Sequence, residues 1–277
     1  MNDEPTGLLG QPSGSRQRSN KRRQAGSWAV RNNFSRMAST FGTTAVLTRP
    51  EVDAHGHPLP PVSDAKPLVE SDVLGKVGLL TLIAIGFGGI SFVFPVSIGF
   101  ALVCIFVAFA LALWTTFRPH MARTLAPIYA GTEGLALGVL SRLYSAQSHG
   151  IVPLAIILTG ALFIGVLFSY RTGLVRVTNR FISMTIVAGF ALLAVMLATL
   201  LGLRFPGLGS SATGLIVFGV VYLVVAILDL FVDFELVNRA AKAGVSADAE
   251  WYAAFSIFLA VVMLYLGLLR ILGGARR

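Results

Sequence analysis

In "AILDLFVDFELVNRAAKAG", residues 226–244, Asp229 and Asp233 stand four apart at the end of a long apolar run. On a helix that spacing puts both side chains on one face, with Cβ atoms about 5 to 6 Å apart. Two carboxylates that close in a poorly hydrated place resist double ionisation, so the pair can share one proton and act as a proton-sensitive element. The same oxygens attract a hard cation such as calcium, which takes only oxygen ligands, so proton and cation compete for one place. A third acid, Glu133, lies about 12 Å into another apolar run at 1.5 Å per residue, close to the middle of a bilayer. No other carboxylate falls inside or at the end of an apolar run. Each of the three is a functional candidate, because a charge at the centre of a membrane helix costs about 2.5 to 3.5 kcal/mol and must find partners. Plainer readings stand beside these: Asp233 as a helix-end residue, solvated or paired with Arg239 or Lys242, and Glu133 as a hydrogen-bonded acid that locks helices together.

The elements that carry these acids follow from composition. With 277 residues, 55% of them hydrophobic and 13% charged, the chain does not suit a water-soluble globule. Apolar stretches follow one another at about 77–94, 98–117, 125–143, 151–170, 181–203, 212–232 and 251–272, each long enough to cross a hydrocarbon core of about 30 Å. They are continuous and do not alternate, so the expected fold is an all-α membrane protein with seven transmembrane helices in residues 73–277. Residues 1–72 are rich in Ser, Gly, Pro, Asn, Arg and Gln and lack periodicity, which predicts a disordered, basic cytoplasmic tail. The cluster Lys21, Arg22, Arg23 precedes polar residues, so no secretory signal peptide is visible, and Met37 is a second candidate start.

The net charge of +9 invites a nucleic-acid reading, but residues 1–72 hold 9 basic and 7 acidic groups and residues 73–277 hold 13 and 6. The excess sits in short connections, where membrane orientation explains it and no nucleic acid is needed. A cytoplasmic N-terminus places Arg118, Arg123, Arg171, Arg176, Arg180, Arg239 and Lys242 on the same side, against Arg142 and Arg204 in the opposite connections. Seven crossings send Arg270, Arg276 and Arg277 outside, a minor violation of the rule. The single cysteine, Cys104, excludes an internal disulfide and argues against a cysteine-based metal site. Small residues in "GFGGIS" and at Gly134 and Gly138 predict close helix packing. "GLGSSATG" lacks the lysine of a phosphate loop, and no Ser with His is placed for nucleophilic work, so neither an enzyme nor a cofactor is expected.

Four segments together resemble a family. "PIYAGTEGLALGVLS", "SYRTGLVRVTNRF", "DLFVDFELVNRAAKAG" and "EWYAAFSIFLAVVMLYLGLLRIL" are similar to the corresponding segments of bacterial members of the Bax inhibitor-1 family, covering residues 72–273 in order. The resemblance implies seven helices with the last one central, wrapped by the other six, in the cell membrane (the inner membrane of a bacterium), and a proton-sensitive calcium leak. In the family pattern an aspartate near the cytoplasmic end of the sixth helix pairs with one on the seventh. Asp233 matches the first, but the second falls at Leu259 or Ala260, which cannot ionise. Asp229 is therefore expected to replace the missing partner, with Glu250, beside Trp251, as a second substitute and Glu133 as a cation contact deeper in. Asp229 and Asp233 are then the gate, proton sensor and transient calcium ligands. The alternative that the resemblance permits is a non-conducting regulatory protein that binds other membrane proteins, such as a protease or stress-response partner.

Overall fold

A computed structural model describes residues 66–94, 97–147, 150–175, 177–200 and 212–276, all within one compact unit, Ser63–Arg277. Seven long helices follow in order: α1 (Glu70–Val93), α2 (Ile98–Phe117), α3 (Ala122–Gln147), α4 (Ile151–Arg171), α5 (Asn179–Leu200), α6 (Ala212–Lys242) and α7 (Glu250–Ala275). The tail expected over residues 1–72 lies outside the described residues up to 65, and its end is ordered. Leu68 donates its N–H to the Val245 carbonyl at 2.8 Å, Ala247 donates to the Lys66 carbonyl at 2.9 Å, and α1 starts at Glu70. Glu70 and Asp72 in that first turn suit the positive end of the helix dipole. Gly244, at φ 68°, adopts the left-handed turn that ends α6 and leads into this pairing.

Among the described residues six helices are long and apolar enough to cross a membrane and α3 is the exception, so composition supports six of the seven expected crossings. The reason is visible in its surroundings. α3 packs against α1, α2 and α7, burying Ala122, Ala126, Ala130, Gly134 and Gly138, so it presents less of itself outward and tolerates Arg123, Thr132, Glu133 and Arg142. By contrast α1, α4 and α5 expose large apolar side chains, Val93 at 72%, Phe168 at 68% and Met184 at 73%, which water would not tolerate over such an area.

The last helix is the most enclosed, with Ala254, Phe255, Ile257, Phe258, Ala260, Leu264 and Leu269 all buried. It packs against α1, α3, α4 and α6, whereas α2 rests on α3 and α5 rests on α6. The expectation of six helices wrapped around it is thus corrected to four, because the outer two find their partners in helices that already cover α7. Close glycine crossings hold the layers together. A Cβ at Gly219 would meet the Gly267 carbonyl at 3.0 Å, and one at Gly267 would meet the Leu223 backbone at 3.1 Å, fixing α6 against α7. Between α1 and α3, a Cβ at Gly138 would fall on the Gly88 carbonyl and the Ser91 hydroxyl, which itself donates to the Leu135 carbonyl at 2.8 Å. Gly138→Ala is accordingly expected to destabilise the fold by about 1 to 3 kcal/mol through overpacking, seen as a lower thermal midpoint in detergent. Gly75→Ala, whose Cβ meets nothing within 4 Å, should not do so.

Candidate functional site

Around Asp233 the sixth helix is enclosed on every side, since Leu230, Phe231, Val232, Asp233 and Phe234 are all buried. α7 covers the Asp233 face. Ser256 of α7 donates its hydroxyl to Asp233 Oδ1, while Oδ2 is buried and has no hydrogen-bond partner among the described residues. An acceptor left so in a buried place is costly. Asp229, one turn away on the same face, is half-buried, makes no hydrogen bond or ion pair with a described residue, and lies close enough to act electrostatically on Asp233. Tyr252, at the start of α7, is within the same reach of Asp233.

The paired readings for the helix-end residue separate here. Arg239 does not reach Asp233; its Nε donates to Glu235 Oε1 at 2.7 Å and its Nη1 to Asn179 Oδ1 at 3.2 Å. Glu235 also accepts the Tyr170 hydroxyl at 2.9 Å, and Asn238 donates to that same hydroxyl at 2.8 Å. This network explains why α6 runs ten residues past the expected end of its apolar stretch: its polar extension is braced by α4 and the start of α5. Lys242 is exposed.

Glu250 is placed elsewhere. It is buried at the start of α7, ion-paired with Lys76 of α1, and accepts the Val69 N–H at 3.1 Å, while Lys76 also sits 5.6 Å from the Trp251 ring centroid. Its acid is occupied in tying α1 to α7, about one and a half turns from Ser256, and the structure does not bring it to Asp233. Leu259 and Ala260, the non-ionisable positions on α7, are half-buried and buried. Ser256 lies one turn before Ala260 on the same face, and it is the partner that the acid-by-acid reading missed; a search of that face for any hydroxyl or amide would have found it.

Glu133 is half-buried and has no hydrogen bond or ion pair with a described residue, which removes the support for a hydrogen-bonded lock. It is within electrostatic reach of Cys104 on α2, Tyr129 on its own helix and Tyr222 on α6. Tyr129 meets Phe255 and Phe258 edge-on at 5.2 and 6.0 Å, so Glu133, one turn further on, stands at about the level along α7 that Asp229 reaches one turn beyond Ser256. Arg270, whose position strained the orientation rule, is stacked over Tyr222 at 4.6 Å and Phe218 at 5.3 Å. Contacts within the helix pair, worth about 0.5 to 2 kcal/mol each, hold that cation.

No cluster of three or more His, Cys, Asp or Glu side chains suited to a metal occurs among the described residues. A cation at Asp229 and Asp233 would complete its shell with water and backbone carbonyls, the loose oxygen coordination calcium accepts.

The helices and these acids define a multi-pass membrane protein with a buried aspartate and a half-buried one a turn apart on α6, the helix packed most intimately against α7. The chain belongs to the Bax inhibitor 1 like family, whose sequence model matches residues 11–277, a longer stretch than the four motifs cover. No curated protein matches it.

Proposed function

We propose that the protein is a pH-sensitive leak channel or transporter for cations, favouring calcium, gated by Asp233 and Asp229. The reading rests on one observation above all: a buried carboxylate keeps one oxygen without a hydrogen-bond partner among the described residues, with a second carboxylate one turn away. Such an oxygen is stable only when it holds a proton or a cation, so each displaces the other. Passage runs along α7, and Glu133, level with Asp229 and free of hydrogen bonds to described residues, is the next cation contact. The N-terminus is assigned to the cytoplasmic side of the cell membrane by the distribution of Lys and Arg. No step requires catalysis or a bound cofactor.

Purified protein in sealed vesicles tests this. Calcium efflux is expected to vary with pH between about 6 and 8, and the apparent affinity for calcium to fall as pH falls, because protons compete for the same oxygens. Calcium that stays trapped at every pH would instead assign the protein to the non-conducting, partner-binding class.

A further inference from the structure

α1 and α4 flank the same side of α7 but scarcely meet each other. Between them lies a cavity of about 660 Å³, floored by Phe258, Val262 and Tyr265 of α7. The opening exists because its walls carry glycine: a Cβ at Gly78 or Gly89 of α1, or at Gly160 of α4, would meet nothing within 4 Å. The hydroxyls that line it are spent within the protein. Thr81 donates to the Val77 carbonyl at 2.8 Å, Thr159 to the Ala155 carbonyl at 2.7 Å, and Ser141 bonds Tyr265 at 2.6 Å.

Water entering this space finds almost nothing to bond, and apolar cavities stay dry. An empty void of that size forfeits the dispersion contacts of its whole lining. Its rim decides what fills it. Leu82 and Ile85 on α1 and Ile156 on α4 are exposed, and all three sit on helices apolar enough to cross a membrane, so the mouth is continuous with the hydrocarbon-facing surface. Lys76, the cation nearest along α1, is held by Glu250, and Arg142, next to Ser141 of the lining, donates to the Phe94 carbonyl at 3.0 Å, so among the described residues the cations nearest the cavity are engaged within the protein.

We infer that this cavity is a binding site for one acyl chain of a bilayer lipid, which enters sideways between α1 and α4 and lies against α7. The chain replaces the helix contact that α1 and α4 do not make. Recognition is by hydrocarbon, so the site selects for chain and not for headgroup.

The three tryptophans, Trp28, Trp114 and Trp251, can be replaced by Phe and a single reporter introduced as Phe258→Trp at the cavity floor. In vesicles of phospholipid with brominated acyl chains, this reporter is expected to lose most of its emission relative to unbrominated vesicles. A reporter at Phe255→Trp, buried beside Tyr129 away from the cavity, should keep its emission. Adding Gly160→Phe to fill the space should restore the Phe258→Trp signal. Equal emission in both kinds of vesicle, or quenching that Gly160→Phe leaves unchanged, overturns the site. Native mass spectrometry of the unaltered protein gives an answer that does not depend on the reporters folding. A retained phospholipid that Gly160→Phe loses supports the site, and a lipid-free monomer, or a dimer without lipid, overturns it.

Discussion

Asp233→Asn is expected to abolish the pH response of calcium efflux and to weaken calcium binding at the same time. Asparagine keeps the size of the side chain and can still accept the Ser256 hydroxyl, so the packing of α6 on α7 survives. It removes the charge and the proton-binding oxygen. Where one proton competes with the cation, the apparent affinity changes by up to about tenfold per pH unit, equivalent to about 1.36 kcal/mol, and the variant should show almost none of that slope. Asp229→Asn leaves Asp233 with its serine and removes only the neighbouring charge, so the slope should shrink without vanishing. Ser256→Ala tests the positioning of Asp233: the aspartate keeps its charge but loses its only hydrogen bond to a described residue, so pH sensitivity persists with its midpoint displaced. Efflux from vesicles loaded with a calcium dye, recorded at several pH values for the four proteins, checks all three outcomes. A pH response identical in unaltered and Asp233→Asn protein would remove the pair from the mechanism.

Lys76→Met should be the most destabilising conservative change where α1 meets the start of α7. Glu250 is buried, and its carboxylate is held by Lys76 and by the Val69 N–H. Methionine preserves the bulk along Trp251 but leaves a buried charge with a single neutral donor. Breaking a buried pair by removing one partner costs about 3 to 5 kcal/mol. The double change Lys76→Met with Glu250→Gln should recover a large part of the loss, because no uncompensated charge is left behind. Thermal unfolding followed by circular dichroism in detergent measures both, and a single variant as stable as the parent would show that water reaches Glu250.

Six of the helices are legible because their apolar stretches are long and continuous, and the close approach at Gly134 and Gly138 is legible because small residues four apart leave a flat face. Asp229 and Asp233 could be placed on one face from spacing alone. What sequence could not give was the identity of partners distant in the chain. Glu250 looked available because Lys76 lies 174 residues away, and nothing local announces that they meet. Arg239 looked like a partner for Asp233, but the helix continues, and its turn carries Arg239 toward Glu235 and Asn179. The order of packing was hidden too: α3 reads as one span among seven, yet its polar residues are explained by the helices around it. Ser256 carries no charge to announce it, whereas a hydroxyl suffices to hold one carboxylate oxygen.

The central claim is that Asp229 and Asp233 hold either a proton or a cation and exchange one for the other. Calcium added to the purified protein in weakly buffered detergent solution should release protons, and the Asp229→Asn, Asp233→Asn double variant should release none. No proton release from the unaltered protein, or the same release from the double variant, would contradict the exchange.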